Sequence, residues 1–193
     1  MRKAAKTRNT KETQIEMELN LDGTGQRSID SGIGFFNHML ELFSFHSGFD
    51  LIVNAKGDLF VDDHHTVEDC GILLGSLVGE ALQDKKGISR YGSFTIPMDE
   101  TLCNVTIDFS GRPYLVYNCD LKREKIGEYS CEMTEEFLRA LSNTAKMNIH
   151  VNVYYGNNDH HKVEAVFKAL GRAMKQGTEI VSEEIPSSKG ILE

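Results

Sequence analysis

Asp63-His64-His65-Thr66-Val67-Glu68 returns 96 residues later as Asp159-His160-His161-Lys162-Val163-Glu164. The chain has only seven histidines, so two copies of His-His-x-x-Glu are far more than composition supplies. Self-similarity at a fixed offset is the mark of a repeated unit. Weaker echoes flank this one. Lys11-Glu12-Thr13 opens a segment ending Leu19-Asn20-Leu21-Asp22-Gly23, and Asp99-Glu100-Thr101 opens one ending Ile107-Asp108-Phe109-Ser110-Gly111. Both alternate apolar and polar residues, the period of a β-strand entering a Gly turn. Leu51-Ile52-Val53 corresponds to Ile149-His150-Val151, each read as a short strand before a hairpin. The chain is an internal duplication, with halves at 1–87 and 88–193 forming one compact unit.

Each half reads as strands, a helix, a strand or hairpin, and a longer helix. Phe35 to Phe45 and Glu135 to Leu141 have helical spacing. The first long helix is predicted from His64 to Leu82, with Val67, Cys70, Gly71, Leu74, Leu77, Val78 and Ala81 on one face. The second is predicted from His160 to about Met174, carrying Val163, Val166, Phe167, Leu170 and Met174. Asp63 and Asp159 stand where an N-cap belongs. Asp84-Lys85-Lys86-Gly87 closes the first half as the internal linker.

His64 and Glu68 lie four residues apart and share a helix face, as do His160 and Glu164. Such a pair can hold one metal ion. The adjacent His65 and His161 point about 100° away. One motif can therefore serve two metals, each taking an i, i+4 pair from one helix and the neighbouring His from the other. For a single His-His pair, capping or a polar surface is the better explanation; duplication of the whole motif reverses this and favours metal. Imidazole and carboxylate without thiolate suit Mn²⁺, Fe²⁺ or Zn²⁺. No His-Glu-x-x-His occurs, which excludes that protease chemistry. Arg90, Arg112 and the Ile185-Pro186-Ser187-Ser188-Lys189-Gly190 tail offer charge-assisted donors for a phosphate, although from sequence alone a solvated tail with two surface arginines is the favoured explanation.

A net charge of −8 argues against nucleic acid as the partner. The basic stretch before residue 12 is not followed by an apolar run, so no secretory signal is expected. Gly71 to Leu82 is too short to span a bilayer, so no membrane role is expected. Cys70, Cys103, Cys119 and Cys131 form no Cys-x-x-Cys pair, which removes zinc-finger chemistry. Scattered thiols fit a reducing compartment, and a cytoplasmic location is expected.

The sequence resembles the imidazoleglycerol-phosphate dehydratase family over nearly its whole length. The resemblance is carried by Gly34-Phe35-Phe36-Asn37-His38-Met39-Leu40, Asp62-Asp63-His64-His65-Thr66-Val67-Glu68-Asp69 and Arg90-Tyr91-Gly92. It continues in Pro97-Met98-Asp99-Glu100, Gly111-Arg112-Pro113, Asn158-Asp159-His160-His161 and Pro186-Ser187-Ser188-Lys189-Gly190. It implies an α+β fold of two similar halves, with outer sheets and helices packed between them. It also implies dehydration of imidazole glycerol phosphate to imidazole acetol phosphate, a step of histidine biosynthesis. By position, His38, His65, His160 and Glu164 would hold one Mn²⁺, and His64, Glu68, Glu136 and His161 another. Other members carry histidine where this chain has Glu136. Glu12, residues 38–46 with His38 and His46, the metal ligands, Arg90, Arg112, Lys168, Ser187, Ser188 and Lys189 would contact substrate.

Such chemistry needs both metals. The resemblance implies that two bound ions would favour the imidazolate form of the substrate ring, so that loss of the adjacent hydroxyl by way of a diazafulvene-like species would acidify the carbon proton. Glu12 is the candidate proton carrier, with His46 and a metal-bound water as its competitors. Family members form a homo-oligomer of 24 subunits whose metal sites are completed between chains. Two other readings fit parts of the pattern: a metal-stapled shell, and a dinuclear hydrolase with metals about 3.5–4 Å apart.

Overall fold

A computed structural model describes residues 2–192. The first half runs β1 (Lys3–Asn9), β2 (Thr13–Asn20), β3 (Arg27–Asp30), α1 (Gly34–Ser47), β4 (Asp50–Gly57) and α2 (His64–Leu82). The second runs β5 (Tyr91–Met98), β6 (Thr101–Asp108), β7 (Tyr114–Asn118), β8 (Lys125–Ile126), β9 (Tyr129–Ser130), α3 (Met133–Ala145), β10 (Asn148–Tyr155) and α4 (Asp159–Thr178). Removing the small β8–β9 hairpin leaves the same order in both halves.

The sheets repeat too. One has order β1-β2-β4-β3 and the other β5-β6-β10-β7. In each, the last pair is parallel and the rest antiparallel. Parallel neighbours need a crossover, which α1 supplies between β3 and β4 and α3 between β7 and β10. The equivalent central strands follow the period-two prediction. Ile15, Met17 and Leu19 on β2 are buried, as are Cys103, Val105 and Ile107 on β6, while most of the residues between them face out. Each large apolar side chain buried this way contributes roughly 1.5–3 kcal/mol. β4 and β10 lead directly into the long helices, so the hairpin expected after each does not form. Both are instead central strands, already paired on both edges.

The long helices α2 and α4 lie on the inner faces of their own sheets. Each short helix crosses to the long helix of the other half, giving the pairs α2–α3 and α1–α4. Glycine permits both crossings. A Cβ on Gly171 would lie 2.8 Å from the Phe43 carbonyl oxygen, and one on Gly75 would lie 2.6 Å from that of Leu141. Ser44 and Ser142 each donate to a backbone carbonyl five residues on, Phe49 and Met147, at 2.7 Å. These coincidences set α1 and α3 in register 98 residues apart, and His38 falls on Glu136. Phe36 of α1 meets Phe137 of α3 edge-on at 5.4 Å, and Phe137 stacks on Phe167 of α4, closing the core between the sheets.

Asp63 stands at the N-cap of α2 as expected, but its side chain does not cap, and in α4 the N-cap moves from Asp159 to Asn158. Asp62 accepts from the His64 backbone at 2.9 Å, and Asn158 accepts from His160 at 3.0 Å. Asp63 and Asp159 turn inward instead. Asp63 receives the Ser130 amide and hydroxyl, both at 2.6 Å. Asp159 receives the amides of Lys122 and Arg123 and the Lys162 ammonium. Buried carboxylates need several such donors. The 119–132 segment, absent from the first half, is thereby pinned to the starts of both long helices. The linker also differs from a free tether: Gly87 exchanges backbone hydrogen bonds with Val181, Ser182 and Glu184.

Candidate metal centre

The α1–α4 crossing brings His38 beside the second motif. Its Nε2 lies 3.8 Å from Glu164 Oε2, and His160 Nε2 lies 3.2 Å from the same oxygen. Among the described residues this is the one group of three or more His, Cys, Asp or Glu ligands whose donor atoms all fall within 4.8 Å. Ligand bonds of about 2.0–2.2 Å separate two donors of one ion by roughly 3–4 Å, so the trio fits a divalent cation. Phe35 packs edge-on against His160, 4.9 Å between centroids, and fixes that ring.

Glu164 uses its two oxygens differently. Oε2 faces the histidines, while Oε1 takes the Lys168 ammonium at 2.5 Å. Burial pushes its carboxyl upward, but Lys168, His38 and His160 outweigh this and hold it below the ordinary value. One oxygen therefore stays available as an anionic ligand. His46, two turns along α1 from His38, is held below its ordinary value by burial and by Lys168 and Arg172. It remains a neutral imidazole able to accept a proton.

The twin half-site on α2 and α3 is looser. His64 Nε2 lies 3.8 Å from Glu68 Oε2, both about half exposed. Glu136 occupies the His38 position of the repeat, but its carboxylate lies 3.8 Å from Arg139 on its own helix. Two carboxylates repel without a cation between them, whereas the His38 imidazole faces Glu164 without that repulsion.

The remaining histidines point elsewhere, following the 100° step. His65 Nδ1 sits 3.0 and 3.2 Å from the two Asp58 oxygens, with Glu12 Oε1 3.9 Å from Nε2. The Asp58 hydrogen bond, with Glu12 and Asp62 nearby, raises its pKa. His161 Nδ1 bonds Glu100 Oε2 at 2.7 Å, and Asp99 lies 3.8 Å from Nε2. That bond and the amides of Asn158 and Asn157 pull Glu100 down to about 2. Neither His65 nor His161 converges with the predicted metal partners inside one chain.

Of the phosphate candidates, the structure joins Arg90 to the C-terminal tail. Arg90 forks onto Asp108 at 2.7 and 3.1 Å and donates to the Pro186 carbonyl at 3.0 Å, which ties it to the tail. The Asp108 bond raises its pKa further. Arg112 is exposed at the Gly111 turn. Ser187 forms a local turn with Lys189 and Gly190, and Ser188 and Lys189 are exposed. Glu12 is exposed on the β1–β2 turn, its carbonyl held by the Asp58 amide. Sequence reasoning missed Asp58, Asp108 and the role of Glu100. Glu100 was visible as the twin of Glu12; Asp58 carried no signal.

Comparison with known proteins gives one answer. The family model described as imidazoleglycerol-phosphate dehydratase matches residues 31–174. The protein of that name from Clostridioides difficile strain 630 is 57% identical over 185 residues, covering 96% of each chain. That from Lactococcus lactis strain IL1403 is 55% identical over 193 residues, again covering 96% of each. The crystal structure of imidazoleglycerol-phosphate dehydratase from Staphylococcus aureus N315 superposes with a TM-score of 0.85 at 43% identity, covering 93% of this chain and 99% of that one. The Pyrococcus furiosus structure, in complex with (S)-C348, gives 0.85 at 34% identity, covering 97% and 100%.

Proposed function

The chain belongs to the imidazoleglycerol-phosphate dehydratase family, hydro-lyases of histidine biosynthesis, and from that premise we propose how its residues divide the work. The substrate is D-erythro-imidazole glycerol phosphate and the products are imidazole acetol phosphate and water. The observation that carries the reading is the convergence of His38, His160 and Glu164. These three, with His65, would hold one Mn²⁺; His64, Glu68, Glu136 and His161 would hold a second. Because His65 and His161 do not reach their sets within one chain, a neighbouring subunit of a 24-subunit homo-oligomer supplies them. Glu136 gives the second set an extra carboxylate, which favours Mn²⁺ over softer ions. When bound, the two ions would withdraw electron density from the substrate imidazole and lower the barrier to loss of the neighbouring hydroxyl.

The chain's own groups do the rest. Glu12 takes the proton from the carbon beside the one that loses its hydroxyl, as an exposed carboxylate on a tethered turn can. His46 is the alternative carrier, kept neutral by its surroundings. Arg90 has two N–H groups left after bonding Asp108 and Pro186. Together with Arg112, Lys168, Ser187, Ser188 and Lys189 they would grip the phosphate and orient the reacting carbons. Four free cysteines suit action in the cytoplasm. No helix among the described residues is long and apolar enough to cross a membrane.

The direct test incubates Mn²⁺-loaded protein with imidazole glycerol phosphate and follows the ketone product. Turnover that vanishes on chelation and returns with Mn²⁺ supports the reading. Full turnover by metal-free protein refutes it.

A further inference from the structure

We propose that Asp58 and Glu100 are the positioning residues of the two histidine motifs, each holding the ring proton on Nδ1 so that Nε2 is left as the ligating atom. The proposal rests on the reading that these histidines hold divalent ions. A neutral imidazole has one donor and one acceptor nitrogen, and only the acceptor can bind a metal. An ionised carboxylate accepts and never donates. His65 Nδ1, 3.0 and 3.2 Å from Asp58, and His161 Nδ1, 2.7 Å from Glu100, must therefore be the donors. A carboxylate on the second ring nitrogen is the usual companion of a metal-bound histidine. Both motifs have it, on the one histidine of each that does not join the i, i+4 pair.

The two carboxylates are themselves held differently. Glu100 Oε1 accepts from the amides of Asn157 and Asn158, at 3.1 and 2.8 Å, and from the Thr101 hydroxyl at 3.2 Å. Its carboxylate cannot rotate without abandoning all three. Among the described residues, the Asp58 carboxylate has no comparable side-chain hydrogen bond beyond His65. Glu100 is also the repeat twin of Glu12, whose side chain is 54% exposed and 3.9 Å from the His65 Nε2. The duplicated glutamate has thus split its duties. The copy at 100 is committed to positioning, and the copy at 12 stays free to move a proton.

The difference in anchoring makes a sharp test. In Glu100→Gln the three donors keep the amide oxygen in place, so the NH₂ group must face His161 Nδ1. That nitrogen then becomes the acceptor and the proton moves to Nε2, where it blocks a metal. In Asp58→Asn no other side-chain bond dictates which way the amide faces, so its oxygen can still accept from His65 Nδ1 and the tautomer survives. ¹⁵N-histidine NMR of the metal-free protein should show His161 switching from Nδ1–H to Nε2–H in E100Q, and His65 unchanged in D58N. Mn²⁺ titration should show one site weakened about 10–100-fold in E100Q and little change in D58N. An unchanged His161 tautomer in E100Q, a wild-type His161 already protonated on Nε2, or undiminished Mn²⁺ affinity in E100Q overturns the proposal. Failure of wild-type protein to bind Mn²⁺ would instead strike the metal reading, and the tautomer comparison would still decide the hydrogen bonds.

Discussion

Replacing Gly171 by Ala tests whether the helix crossing builds the site. The new Cβ would meet the Phe43 carbonyl oxygen at 2.8 Å, the Ser47 nitrogen at 3.1 Å and the His46 Cβ at 3.2 Å. Two of these are backbone atoms of α1, so no flexible side chain can yield. Restoring ordinary contact at 3.4 Å requires α1 and α4 to part by about 0.6 Å. Overpacking of this kind costs about 1–3 kcal/mol, against a gain of up to ~1 kcal/mol in helix propensity. The net loss should lower the melting temperature by several degrees, at about 2–4 °C per kcal/mol for a chain of this size. Parting the helices also draws His38 away from Glu164, so Mn²⁺ affinity should fall with stability. Gly79→Ala is the matched control. Its Cβ meets only the Thr144 carbonyl oxygen at 3.7 Å, so propensity alone should act and stability should rise by up to ~1 kcal/mol. Thermal melts of both variants, with and without Mn²⁺, decide the matter. A Gly171→Ala protein as stable as its parent, or one that binds Mn²⁺ unimpaired, would refute the argument that this close approach sets the metal geometry.

Arg112→Ala should mainly raise KM, with some loss of kcat because remote binding energy orients the reacting carbons, while His64→Ala should abolish most turnover at saturating substrate. Steady-state kinetics with metal analysis checks this, and the opposite pattern would reverse the assigned roles. If His65 and His161 complete sites across subunits, chelation should loosen the oligomer, since ligands of the assembled state stabilise it by mass action. Sedimentation of an apo protein with unchanged size and stability would contradict that. Glu100 is held at about 2 against an ordinary 4.5, so its stabilising contribution is complete above pH 4.5 and fades as pH falls toward 2. Acid denaturation of E100Q should lack that titration; a curve of identical shape would show that Glu100 contributes nothing.

The internal duplication, the long helices and the inward faces of β2 and β6 were legible in the sequence because local periodicity and exact repetition encode them. The His64–Glu68 and His160–Glu164 pairs were legible for the same reason, since four residues is close to one helical turn. That the Asp63 side chain leaves the α2 cap unmade, and that the α4 cap falls on Asn158, was not. An aspartate before a helix looks the same whether it caps or reaches a distant loop, and Ser130 and Lys122 lie too far along the chain to register. The resemblance proposed His38 as a partner of His160 and Glu164; only the tertiary structure placed them together. That encounter depends on α1 crossing to the other half at Gly171, a contact with no local signature. The same crossing equates His38 with Glu136 and leaves His65 and His161 facing Asp58 and Glu100. Local spacing decides which side chains share a helix face, whereas long-range packing decides what that face meets.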